Sequence, residues 1–215
     1  MRYGRWVRAG MAVAIGLTMI EVASADVGWA RHKKAYAVPV PTSTGSGQAS
    51  KVVVDGKLDD WDLSGQLFMY VVSETSEMQS ARFAMMYDAE ALYLSAIVRD
   101  SSPMMNRHDP NVDPDKAWDA DVCQIFMSID PSLGYPVQKS SYNQDVDDRM
   151  CTLILWHYTD RQEANVVALK AMAFNNPLRP DLSANGVIPR DKFQGAYLKA
   201  EDGRGYTFEY RIPWS

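Results

Sequence analysis

From Val122 to Ile129 the side chains alternate in character. Cys123, Ile125, Met127 and Ile129 fall on one face, and Val122, Gln124, Phe126 and Ser128 on the other. A period of two, rich in β-branched and aromatic residues, fits a strand with at least one buried face. Further strands are read at short intervals, at residues 81–87, 91–99, 152–158, 165–172, 196–200 and 206–212. Over 91–99, Leu92, Leu94, Ala96 and Val98 oppose Tyr93, Ser95, Ile97 and Arg99; over 206–212, Tyr206, Phe208, Tyr210 and Ile212 alternate with Thr207, Glu209 and Arg211. No long helical stripe intervenes and no internal repeat is visible, so the series predicts an all-β chain, an antiparallel β-sandwich of immunoglobulin or jelly-roll kind. Residues 35–39 form a further candidate strand, which Pro39 assigns to a sheet edge. Residues 41–50 read as a loop. Val52-Val53-Val54 runs into the turn dipeptide Asp55-Gly56.

The N-terminus carries an address. Arg2, Arg5 and Arg8 precede an apolar run from Ala9 to Ile20, and Ala23-Ser24-Ala25 supplies the small-x-small cleavage pattern before Asp26. Residues 1–25 are therefore predicted to be a secretory signal peptide, and 26–50 a leader with the edge strand. The apolar run falls short of the roughly 20 residues a bilayer span needs, and Glu21 interrupts it. No second apolar run follows. The expected mature chain is exported, secreted or periplasmic, with no membrane attachment after cleavage.

Charge narrows the partners. A net charge of −5 leaves no basic footprint, which argues against nucleic acid. The two cysteines, Cys123 and Cys151, would sit where disulfides persist. Sequence does not fix their Cα separation, so a disulfide and two free thiols both stand at this point.

Two long acidic segments interrupt the strands. Residues 101–121 hold Asp109, Asp113, Asp115, Asp119 and Asp121; residues 130–149 hold Asp145, Asp147 and Asp148. Loops of this length in a compact domain are functional or mobile. Clustered carboxylates suit calcium, with Asp113, Asp115 and Asp119 as the candidate ligands, although EF-hand spacing is absent. A solvated loop is the plain alternative. Trp118, at the mouth of the 122–129 strand, invites two readings. It plugs the end of the core, or it offers a flat face to a polar, ring-shaped ligand.

Catalytic patterns are missing. His32, His108 and His157 are scattered and show no zinc-ligand spacing. Neither a Gly-x-Ser-x-Gly elbow nor a His-Glu-x-x-His helix is present. Paired carboxylates for glycoside hydrolysis are defined by their separation in space, but a sandwich this small without a recognisable catalytic pattern is a poor candidate. The expectation is a non-catalytic protein.

Three segments, in order, resemble the family 9 carbohydrate-binding modules and their relatives. They are Val54-Asp55-Gly56-Lys57-Leu58-Asp59-Asp60-Trp61; the strands from Tyr87 to Asp100 leading to Trp118-Asp119-Ala120-Asp121-Val122-Cys123-Gln124-Ile125-Phe126; and Gly205-Tyr206-Thr207-Phe208-Glu209-Tyr210-Arg211-Ile212-Pro213-Trp214. The resemblance covers residues 51–215. It implies a β-sandwich that binds oligo- or polysaccharide without cleaving it, often appended to a secreted catalytic domain in a carbohydrate catabolic system. In such modules two tryptophans sandwich a terminal sugar, polar side chains bond its hydroxyls and calcium stabilises the loops. Trp118 matches the first tryptophan. Gln124 stands where those modules carry a sugar-binding glutamate, and Asp121 is the third candidate contact.

Two departures qualify the resemblance. Gln124 keeps an acceptor but loses the charge. The family pattern also continues past Ile212-Pro213-Trp214 with more strands and the second tryptophan, so the expectation is a sandwich lacking its last strands. Trp214 does not match that tryptophan. A haem-binding relative of the DOMON type is the alternative, with Met85, Met86, Met104 or Met105 among its candidate axial ligands. A structural or adhesion domain is a third reading.

Overall fold

Chains with period-two apolar patterns bury themselves in sheets, and this one does. The computed structural model describes residues 10–15, 35–41, 52–128, 150–170 and 186–214. Among these, helical elements are confined to 3-10 turns, the longest being the six-residue Pro114–Asp119. The strands are β1 Gly10–Ile15, β2 Ala37–Pro39, β3 Leu67–Met69, β4 Ser80–Tyr87, β5 Ala91–Arg99, β6 Val122–Ser128, β7 Met150–Tyr158, β8 Glu163–Lys170, β9 Gln194–Lys199 and β10 Tyr206–Pro213. The protein is all-β, as the alternation predicts.

The strands form two sheets, one ordered β1-β6-β7-β8 and the other β2-β4-β5-β10-β9, with β3 also paired to β4. The chain divides accordingly into two compact units. Met1–Glu21 with Met105–Ile188 holds the first sheet, and Val22–Met104 with Pro189–Ser215 holds the second.

Three features depart from the sequence reading. The sheets are not wholly antiparallel, because β1 lies parallel to β6 and β2 parallel to β4. β1 falls inside the apolar run read as the signal peptide, with Gly10 opposite Val122 and Ile15 opposite Met127. A run of small and apolar residues is also a competent strand, and hydropathy alone does not choose between the two uses. β3 was not predicted at all, since three residues are too few to show a period. The cleavage pattern at residues 23–25, the 42–50 loop and the acidic 130–149 segment with Asp145, Asp147 and Asp148 lie outside the described residues.

Within the first unit, β6, β7 and β8 form an antiparallel meander. Gln124 pairs with Ile154, and Ile154 with Val167. One face of this sheet carries a cluster of Ala117, Val122, Ile154, Trp156, Tyr158 and Val167. Register also decides the cysteines. Cys123 faces Leu155 and Cys151 faces Met127, and both thiols are free. Burial pushes the Cys123 thiol up to about 12, so it is inert packing.

In the second unit, β4, β5 and β10 are consecutive antiparallel neighbours. Val52, Trp61, Ala84, Met86, Ala91 and Tyr93 form its core cluster, with Val38, Val40, Leu58 and Leu63 against it. Among the described residues β2 pairs with β4 alone and ends at Pro39, the edge position its proline predicts.

Candidate functional site

The loop before β6 is built around a short turn. Pro114 opens the 3-10 turn, where its fixed φ suits the first helical position. Ala117 is fully buried against the Val122, Ile154 and Trp156 cluster. The next residue, Trp118, is 54% exposed. That exposure rules out the core-plug reading. The indole filling this core is Trp156, which is 2% exposed and donates its Nε1–H to the His108 carbonyl at 3.0 Å.

An exposed aromatic is held in place only if its backbone is. Asn106 is completely buried, and its Nδ2 donates to Ala117 O at 2.9 Å and Asp121 O at 3.0 Å. Its Oδ1 accepts from the His108 N–H at 3.1 Å. The Asn106 backbone exchanges two 2.8 Å bonds with Thr159, whose hydroxyl and N–H lie at the turn between β7 and β8. The loop is thereby tied to the sheet.

The other two sequence-derived sugar contacts differ in character. Asp121 Oδ2 accepts from Met105 N at 2.5 Å, and its own N–H donates to Met105 O at 3.3 Å. Asp121 is thus a loop clasp. Gln124 is half-buried on β6, and its register with Ile154 places it on the sheet face that carries the Ala117 cluster.

The acidic residues are drawn into local pairings. Asp113 Oδ2 lies 2.6 Å from His108 Nδ1, and its Oδ1 accepts from Asp109 N at 2.9 Å. Asp109 pairs with Arg161 at 3.0 Å, and Arg107 with Asp160 at 3.2 Å, which adds two further ties to the β7–β8 turn. Among the described residues no group of three or more His, Cys, Asp or Glu could hold a metal ion. Asp113 is engaged with His108, Asp119 is exposed, and the Asp115 side chain lies outside the described residues.

The four methionines named for haem differ in exposure: Met105 is exposed and Met104 half-buried. Met85 and Met86 are buried, and the Met86 sulfur accepts from Asp62 N at 3.3 Å. His157 is buried, and desolvation lowers its pKa, with its Nε2 lying 3.3 Å from Gln162 Oε1.

Sequence reasoning missed a second polar hub. Glu209 is fully buried in β10, where Oε2 accepts from Asp55 N at 2.9 Å and from Gly56 N, and Oε1 accepts from Trp61 Nε1 at 2.6 Å. Alternation groups it with Thr207 and Arg211, which gives no sign that it is buried. The signal was there in another form. An acidic residue inside an aromatic strand needs donors, and Asp55-Gly56 with Trp61 supplies them.

Comparison with known proteins gives one kind of match. No family profile matches the chain, and no curated protein does. Among solved structures, the chain is similar to a family 9 carbohydrate-binding module from Caldicellulosiruptor kristjanssonii in complex with cellotriose, at 17% identity and a TM-score of 0.41, over 85% of this chain and 68% of that one. It is similar to the same organism's module in complex with glucose at 17% identity and a TM-score of 0.41, over 84% of this chain and 70% of that one.

Proposed function

We propose that this protein binds carbohydrate without cleaving it, with Trp118 as the stacking surface. The observation that carries the reading is a large aromatic, 54% exposed, on a turn fixed by a buried alanine and a buried asparagine. The C–H face of a pyranose is apolar and its rim is polar. A rigid indole with hydrogen-bonding groups nearby meets both requirements. Gln124, on the sheet face that anchors this turn, is the candidate hydroxyl partner. Asp121 contributes by holding the turn.

The rest of the proposal follows from the sequence. The chain acts outside the cytoplasm after loss of residues 1–25, beside or within a polysaccharide-degrading system. Calcium bound through Asp113, Asp115 and Asp119 belongs to the same proposal. Binding is tested by titrating the protein with cellotriose and xylotriose, and by co-sedimentation with insoluble cellulose and xylan. Saturable binding of either class supports the reading. No binding to any of the four, by folded protein, overturns it.

A further inference from the structure

We propose that Asn106 is the positioning residue for the Trp118 surface, a role that rests on reading Trp118 as the sugar contact. Its two amide hydrogens go to carbonyls on either side of that tryptophan, one from Ala117 and one from Asp121. Those carbonyls lie 11 and 15 residues away in sequence, so the bonds close the loop rather than cap a local turn. The same side chain accepts from His108 N, and its backbone is paired with Thr159. The described bonds of the carboxamide therefore join the incoming segment of the loop to the Trp118 turn, and the Asn106 backbone ties both to the β7–β8 turn.

The chemistry requires an amide. Two carbonyl oxygens facing one group need two donors on one nitrogen, which a carboxamide supplies and an isosteric carboxylate does not. Ala117, buried at the core, fixes one end of the Trp118 segment. Asn106 spans to the other end. Without it the indole stays exposed but its plane is no longer set, and each binding event has to order the loop first.

The test uses Asn106→Asp and Asn106→Ser in protein labelled with 5-fluorotryptophan. The Trp118 fluorine resonance is identified by its loss in Trp118→Phe. Both variants are expected to shift or broaden that resonance and leave the Trp61 resonance in place. Cellotriose affinity should fall about tenfold in Asn106→Asp, in line with the loss of buried hydrogen bonds. In a Trp118→Ala background the same change should cost nothing more, because the asparagine acts through the tryptophan. An unmoved Trp118 resonance with unchanged affinity overturns the proposal, as does full additivity with Trp118→Ala. If neither variant folds, Asn106 is a fold residue and the positioning role is lost. If the wild-type protein binds no cellotriose, the reading of Trp118 as a sugar contact fails, while the fluorine spectra still decide whether Asn106 sets its position.

Discussion

Glu209 shows how much one residue can hide from its sequence. Its three donors come from Asp55, Gly56 and Trp61, the last of them 148 residues away. No local pattern reports such a contact, whereas the core positions beside it, Phe208 and Tyr210, were legible from alternation alone. Burial pushes the Glu209 carboxyl above its ordinary value of 4.5 and Asp60 adds to this, while the bonds from Trp61, Gly56 and Asp55 pull it down. A carboxyl raised in the folded state holds its proton more tightly there. Its contribution to stability is therefore full below pH 4.5 and declines as the pH rises through the raised folded value. Glu209→Gln turns an amide N–H₂ toward donors and should cost about 1–3 kcal/mol for a group left unsatisfied. Denaturant titrations across pH should show the gap between wild type and variant narrowing as the pH rises from 4.5. A gap that widens over that range would show that the donors outweigh burial. Trp118 was legible as a candidate, but its exposure was not, because the same residue type fills the core at Trp156.

Among elements, the long alternating strands were readable and the short or dual-use ones were not. β5, β6 and β10 each show the period over seven or more residues, and they form where it predicts. β3 has three residues, and β1 shares its composition with an export signal. The Asp55-Gly56 turn was also legible, and Gly56 adopts φ +88, with a Cβ built there lying 2.7 Å from Leu198 Cβ. Gly56→Ala should therefore destabilise by roughly 1–2 kcal/mol or more from the left-handed backbone alone. A melting temperature within a degree of wild type would contradict this. The pairing of β1 with β6 has its own consequence. Protein lacking residues 1–25 should exchange amide hydrogens in β6 faster than the full chain, because a strand edge has lost its partner. Equal exchange in both would mean that β1 does not protect that edge.

At the scale of the molecule, composition and pattern gave the all-β class, but not the division into two sheet-bearing units, which depends on contacts between distant segments. The candidate site was legible as a segment, 118–124. Its support was not, since Asn106 and Thr159 carry no motif. Two wider expectations are open to direct measurement. Exported protein should begin at Asp26 by mass spectrometry, and an intact Met1 on a secreted product would contradict the signal peptide. Chelation should lower the melting temperature if calcium binds the folded state, and calcium should restore it. An unchanged melting curve in excess chelator would remove calcium from the account. The central claim is that Trp118 is a fixed, exposed surface for a sugar ring, and isothermal titration of folded wild type, Trp118→Ala and Gln124→Ala with cellotriose tests it most directly. By analogy with base–aromatic stacking, Trp118→Ala should lose roughly 1–3 kcal/mol of binding. Gln124→Ala should lose about 0.5–1.5 kcal/mol, the worth of one neutral hydrogen bond. Unchanged affinity in a folded Trp118→Ala protein would contradict the account.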